Sequence, residues 1–550
     1  MKNPMHKVRL GGHPQTRRCG FGDLDSWRTA SYQLEVALMD DKNTPEFKLK
    51  RLAIEVLANE AGFVFRCGRY VAGPYPDPYS IDPLELAEKL KVDHDTATKA
   101  RFQAIKIYQD RELGFEDLKD ILGLTVKRDD VNKVVTFLCM ISAYSGKDQF
   151  NVSFRAESST GKSYIPLELA TLFPREDVVE IAYSSPTAFY HEKGEYDKEQ
   201  GVIIINLERK ILIFLDQPHD QLLQRLRPLL SHDRKELTYK ITDKRERAGL
   251  RTKTAIIIGF PAVLFCTGSL KMDDQEATRM ILLSPETSQE KIREGIYLRA
   301  IRDGNRQAFE EWLNADPRRK MLKERIKEIK RTKISDVIIP DPRGVAERFI
   351  KGIKGSLKPR HMRDISRIIS LIKSFAILNF MHREVLGETS EGKIIKATQR
   401  DIDEAFKIWR LISEPQELGV SPFVYQVFKE IIEPLALESC REIKGCTRTE
   451  IMQRFLQLYG RPLSRIRLDR DILPSLEAAG LIDYASDPLD RRRTLIVPTT
   501  LTNTPPSRDT FQDLNRGDGE RGKNVSRQGG VEPSPQSDAD LHNFEEGDQG

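Results

Sequence analysis

Between residues 149 and 284 the apolar positions fall into two alternating rhythms. Apolar runs at Phe150 to Phe154, Val178 to Tyr183, Ile211 to Leu215, Ala255 to Cys266 and Met280 to Leu283 read as buried parallel strands. The stretches between them carry helical spacing. Such alternation predicts a parallel sheet wrapped by helices, an α/β fold. Upstream, helix is predicted near Ala30 to Ala61 and from Leu84 to Leu113, with an extended run at Phe63 to Val71 and a proline-rich turn at Gly73 to Pro83. Asp117 to Ala143 mixes charge with Ile121, Leu124, Val131, Val135 and Leu138, the pattern of a packing shoulder before the first strand.

Residues 286 to 430 read as mostly helical and strongly charged, a second helical layer, with a proline-bounded connector at Ile338 to Arg343. Thr447 and Glu450 then have capping-box spacing at the head of a helix reaching Leu458. Leu463 to Ala479 continues as helix with a break expected at Pro474, and Leu481 to Val497 reads as a two-stranded wing, so the segment resembles a winged-helix unit. From Thr500 to Gly550 the chain is rich in Gly, Pro, Ser, Asn and Asp, with only Phe511 and Phe544 as aromatics. That composition predicts a disordered tail.

The length of 550 residues exceeds one core and predicts about three to five domains. Charged residues make up 31% and hydrophobic ones 39%, and no run approaches the roughly 18 apolar residues of a membrane span. Met1 to Leu10 has no signal-peptide core, and six scattered cysteines form no CxxC pair, so reduced thiols and an intracellular, cytoplasmic location are expected. The net charge of +5 is modest, and its distribution carries more information.

Chemistry concentrates at residues 156 to 163, Ala-Glu-Ser-Ser-Thr-Gly-Lys-Ser, between a predicted strand and a helix-like run from Tyr164. This is a phosphate-binding loop with Ala156 in place of the usual first glycine. Ala156, Glu157, Ser158, Ser159, Thr160, Gly161, Lys162, Ser163 and Tyr164 would surround the phosphates of ATP, with Lys162 reaching the β- and γ-groups and Ser163 completing a Mg²⁺ shell. About 50 residues on, Ile211 to Leu215 ends in Asp216, a Walker B pattern that places a second Mg²⁺ carboxylate over the sheet edge. Thr267, closing the long apolar run, suits a sensor of the γ-phosphate, or it simply opens the loop that follows. Arg279, before Met280, suits an arginine finger acting on a neighbouring subunit.

Between them, Arg234 to Lys253 holds eight basic residues against three acids, with extended runs on either side of Asp243-Lys244-Arg245. A basic hairpin of this kind can neutralise DNA phosphates without reading bases, and Lys240, Lys244, Arg245, Arg247 and Arg251 are the candidates. A second basic footprint lies in the winged segment: Arg461, Arg465, Arg467 and Arg470, then Arg491, Arg492 and Arg493 in the wing. Winged helices also dock proteins, so both partners stay open there.

The succession of phosphate loop, Ser184 to Ala188, Walker B strand, basic hairpin, sensor Thr267 and Glu276-Ala277-Thr278-Arg279 is similar to AAA+ ATPases of the pre-sensor-1 hairpin group. It looks most like minichromosome-maintenance helicases and their plasmid and viral relatives, including primase-linked ATPases. The resemblance covers about residues 116 to 430 plus the winged segment. It implies an AAA+ core at 116–300, a helical lid at 301–430 and a winged helix at 431–499, behind an N-terminal region, 1–115, without an assigned role, and ahead of the tail at 500–550. It also implies a homo-oligomeric ring, expected as a hexamer, moving DNA during replication. Arg363 to Ala376 resembles the lid helix opening with a sensor 2 arginine, which nominates Arg363, and Thr398 to Ile408 resembles the helix closing the lid.

One departure is chemical. The family carries Glu after the Walker B Asp, and here the residue is Gln217, which can orient a water but cannot take its proton. Glu180 and Asp220 are the alternative bases. A nucleotide-switched regulator or loader with little hydrolysis is the competing expectation.

Overall fold

The computed structural model describes residues 64–66, 69–71, 82–90, 93–109, 111–156, 160–182, 195–197, 202–216, 220–231, 235–243, 251–268, 279–353 and 355–501. The helix expected at Ala30 to Ala61, the segment Ser184 to Ala188 and the tail beyond residue 501 lie outside them. Near the amino terminus, β1 (Val64–Arg66) and β2 (Arg69–Val71) pair as an antiparallel hairpin in the predicted extended run. Two helices, Pro83–Leu90 and His94–Gln109, then occupy most of the predicted Leu84 to Leu113 stretch.

Nine strands follow: β3 (Asn151–Arg155), β4 (Val178–Ile181), β5 (Glu195–Asp197), β6 (Val202–Asn206), β7 (Ile211–Phe214), β8 (Glu236–Asp243), β9 (Arg251–Ile258), β10 (Ala262–Thr267) and β11 (Met280–Leu283). Five of them make a parallel sheet in the order β11-β3-β10-β7-β4. The other four make a mixed sheet in the order β5-β6-β9-β8. The chain is thus a mixed α/β protein whose parallel sheet is compatible with a P-loop core.

One expectation is corrected here. The run Ala255 to Cys266 reads as a single strand, yet the chain crosses from the mixed sheet to the parallel one at Gly259, Phe260 and Pro261. Gly259 has a φ of +91°, and a Cβ there would come 2.5 Å from the backbone nitrogen of Glu208. Only glycine fits that approach, and Pro261 cannot donate to a ladder. Gly259 and Pro261 are the local marks of the corner inside an otherwise apolar run.

The packing shoulder becomes two helices, Phe115–Leu122 and Asp130–Ser142, and the second is buried throughout from Lys133 to Ser142. It forms the spine of a core that joins sheet residues Val152, Ile213 and Leu264 to Leu371, Ile372, Phe375 and Ile408 of the downstream helices His361–Leu378 and Gln399–Leu418. Sheet and helical layer therefore share one interior. That layer is mostly helical, as expected, and it also carries an unforeseen small sheet: β12 (Ile334–Ile338), β13 (Val385–Thr389) and β14 (Gly392–Lys396) pair in the order β12-β14-β13. The reason is local, since a β-branched run stopped by Pro340 favours strand over helix even in charged surroundings.

The last part has its own core, from Val420 to Ile496. It begins earlier than the expected boundary at 431, because helical segments Pro422–Val427, Phe428–Ile432 and Glu433–Glu438 run on without a gap. Helix Arg448–Tyr459 starts at the predicted capping box of Thr447 and Glu450. Pro474 does not break its helix, contrary to expectation. The segments Arg465–Arg467, Leu468–Ile472 and Leu473–Ala478 are contiguous, and the middle one is a π-turn. A π-turn also precedes Pro434, at Phe428–Ile432. Opening the turn to i→i+5 bonding relieves the clash and missing donor that proline brings to an α-helix. Two antiparallel strands, β15 (Ile482–Ser486) and β16 (Thr494–Pro498), close the segment. Among the described residues no helix is long and apolar enough to cross a membrane.

Candidate functional site

Strand β3 delivers the buried Ala156 to the loop, and helix Tyr164–Ala170 leaves it. Gly161 has a φ of +97°, and winding begins there, with the Ile165 N–H donating to the Gly161 carbonyl at 3.2 Å. Glu157, Ser158 and Ser159 lie outside the described residues. The first N–H groups of a helix lack partners within it and are open to a phosphate.

The loop is seated on the end of β10. Thr267 is buried and in register with Arg155, and its carbonyl accepts from Ala156 N–H at 3.4 Å. The Cys266 thiol donates to the Lys162 carbonyl at 3.4 Å, and burial pushes that thiol up to about 12 against the opposing pull of Ser163 and Lys162. A Cβ on Gly268 would stand 3.5 Å from the Lys162 ammonium, so Lys162 reaches over the turn after Thr267. Lys162, Ser163 and Thr267 are therefore gathered at one corner.

Strand β7 pairs with β10 as far as Phe214 and Phe265, and Asp216 follows two residues beyond that last pair, at the same end of the sheet as Thr267. Asp216 is exposed at that edge. Ser163 and Asp216 are the donor set expected for Mg²⁺, which keeps waters and phosphate oxygens and uses one or two protein ligands. Among the described residues no group of three or more His, Cys, Asp or Glu could build a closed metal cage.

The alternative bases fare differently. Glu180 is exposed on the edge strand β4, in register with Ile213, three residues short of Asp216. That is roughly 10 Å down the strand from the loop corner. Asp220 opens helix Asp220–Leu230, and Gln217 lies outside the described residues.

Arg279 sits at the opposite edge of the sheet. It directly precedes β11, whose Met280 is in register with Asn151 at the start of β3, and its Nε donates to Ser231 Oγ at 2.8 Å. From that level to the loop is roughly 20 Å along the strands. Arg363 occupies the first turn of helix His361–Leu378 and is exposed. Its neighbour Asp364 is buried, held by Arg360 at 3.3 Å and Arg367 at 2.7 Å. Helix Gln399–Leu418 starts at a capping box of Thr398 and Asp401, and Asp401 also binds Arg383. Its Gln416 is fully buried and clasps the backbone of Leu282 in β11, accepting at 3.1 Å and donating at 2.8 Å.

The basic hairpin exists as β8 and β9. Leu237 and Tyr239 pack onto buried Ala255 and Ile257, while Thr238 and Lys240 are exposed. Lys240 pairs with Thr254, and Arg251 pairs with Asp243 at the far end. Lys244, Arg245 and Arg247 lie outside the described residues. In the carboxyl-terminal segment Arg465 is 3.6 Å from Asp469, which also takes Arg448 at 2.6 Å. Arg467 follows on the same helical stretch. Arg491, Arg492 and Arg493 are exposed between β15 and β16, and Arg493 pairs with Asp490 at 3.2 Å. Leu489 beside them is 91% exposed.

Two residues at the loop carry no sequence signal. Lys291, from helix Gln289–Gly304, donates to the Thr160 carbonyl at 3.3 Å and pairs with the buried Asp129. Only the fold brings them there. The sequence matches no protein-family model and no curated protein.

Proposed function

We propose that this chain is an ATP-driven DNA translocase or helicase of AAA+ type that works as a homo-oligomeric ring. The observation carrying the reading is the strand order β11-β3-β10-β7-β4, in which the strand ending in Thr267 is inserted between the phosphate-loop strand and the Asp216 strand. Such insertion lets one polar side chain stand between the phosphates and the Mg²⁺ carboxylate, where it can sense the γ-phosphate. Lys162 would bind the β- and γ-phosphates, and Ser163 and Asp216 would hold Mg²⁺, which neutralises charge as the γ-phosphoryl leaves. The shared-core helices at residues 301–419 act as the lid and the segment from Val420 as the winged helix.

DNA enters the reading through the β8–β9 hairpin, whose sequence places Lys244, Arg245 and Arg247 between two paired strands. The test is binding of single-stranded and duplex DNA by Lys244→Glu/Arg245→Glu. Affinity should fall across all sequences and the salt slope should drop by about 2, one for each phosphate no longer neutralised. An unaltered slope would return the hairpin to a solvated surface.

A second reading, an ATP-switched regulator or loader, is favoured by Gln217 together with the setback of Glu180 from the site edge. Single-turnover ATP hydrolysis with DNA separates the two. Bound ATP that persists unhydrolysed in the presence of DNA selects the switch.

A further inference from the structure

The phosphate loop is held from outside by a lysine that is not part of its motif. Lys291 lies on helix Gln289–Gly304, which buries none of its own residues and is joined to the site by charge: Lys291 at the loop, Arg302 to Glu168 at 3.1 Å on the loop's helix, and Glu294 to Arg128 at 3.0 Å. The anchor beneath Lys291 is unusual. Arg128 and Asp129 are consecutive non-glycine residues at φ +54° and +49°, a costly backbone that persists only where its surroundings over-determine it. Here they do so: the Asp129 carboxylate accepts from Asn132 at 2.8 Å and from Glu286 N–H at 2.7 Å, and it pairs with Lys291.

An ammonium has three N–H donors. In Lys291 two of them go to the Glu286 carbonyl at 2.8 Å and the Thr160 carbonyl at 3.3 Å, and the charge is paired with the Asp129 carboxylate. These partners are all protein oxygens. Resting on the proposed nucleotide site, we propose that Lys291 is a positioning residue: it fixes the Thr160 carbonyl and so the entry of the loop into Gly161 and Lys162, without touching the nucleotide. Helix Gln289–Gly304 also follows β11 in the chain, so the loop's shape is tied to the strand that carries Arg279 at its other end.

The test is calorimetric titration of Lys291→Met and Asp129→Asn with ADP and with a non-hydrolysable ATP analogue, each with Mg²⁺. A loop set for the β-phosphate serves both nucleotides alike, so Lys291→Met should weaken both by on the order of tenfold, the worth of one charge-assisted hydrogen bond. KM should rise and kcat hold. Asp129→Asn should move both affinities in the same direction by less, and the double variant should be no worse than Lys291→Met, because the two residues act as one unit. Unchanged affinities in folded Lys291→Met overturn the proposal, even with a lowered melting temperature. So does a loss confined to the ATP analogue, which would make Lys291 a γ-phosphate ligand. If Lys291→Met does not fold, Asp129→Asn decides on the same criteria. Wild-type protein that binds neither nucleotide defeats the site itself, a result separate from either.

Discussion

The two ends of the parallel sheet are built for different work. At the carboxyl edge, Lys162, Ser163 and Thr267 gather at one corner, and Asp216 follows the end of the neighbouring strand β7. At the amino edge stands Arg279, separated by the length of the strands and tethered to Ser231. A rigid parallel sheet cannot bring these ends together. On the proposed reading, an arginine that acts on ATP from the amino edge would therefore act on ATP held by another molecule.

The comparison breaks most cleanly at Lys162. Lys162→Ala should abolish nucleotide binding while leaving the fold intact, measured by titration and far-ultraviolet circular dichroism. Retained affinity would remove the carboxyl-edge site altogether. Next in size, Arg279→Ala should leave ATP binding by isolated subunits unchanged and lower turnover of the assembly by about 10³-fold, the lower range for an arginine finger. Mixed with Lys162→Ala subunits it should regain activity. Failure of the two to complement, with monomers as active as the assembly, would place both edges in the service of one nucleotide.

Smaller but sharper is Gln217→Glu. With Glu180 roughly 10 Å below the corner, a carboxylate at 217 would restore the acid that the resembled family carries after the Walker B Asp, and hydrolysis should rise by about 10²-fold. Single-turnover rates at saturating ATP decide it; no rise, together with arrest in Glu180→Gln, would move the base to β4. The smallest effect concerns how the amino-edge strand is held. Gln416→Met keeps the side-chain volume but leaves the N–H and carbonyl of Leu282 buried and unpaired, so it should cost about 2–4 kcal/mol in chemical denaturation. If stability is unchanged but Arg279-dependent turnover falls, the clasp sets the strand's position instead of its stability.

Much of this is legible in the sequence, and the reason is local. Strands β7 and β11 are continuous apolar runs and β3 alternates apolar with polar residues, and both patterns declare themselves without tertiary help. The capping box at Thr447 and Glu450 is equally local. Val202–Asn206 is just as apolar, yet its charged surroundings conceal it, and the corner at Gly259 carries a local Gly-Phe-Pro mark that the apolar residues on either side outweigh. What sequence cannot supply is register. The placing of β10 between the phosphate-loop strand and β7, the setback of Glu180 and the convergence of Lys291 on Thr160 arise from pairing between segments far apart in the chain. Local patterns fix which segments form strands, while the assembled sheet fixes which side chains meet.

The paired π-turns of the carboxyl-terminal segment do more than make room for Pro434 and Pro474. Buried positions there recur every fourth residue: Val424, Phe428, Ile432 and Ala436 in one run, Leu468, Ile472 and Leu476 in the other. In an unbroken α-helix a four-residue repeat precesses by about 40° at each step, so the first series would swing about 120° around the axis. A turn closed by i→i+5 bonding consumes an additional residue and takes part of that rotation back. Each π-turn thus corrects the phase of its helix, and deleting one residue within Phe428–Ile432 would rotate everything after it, turning Ala436 off the flank it now buries.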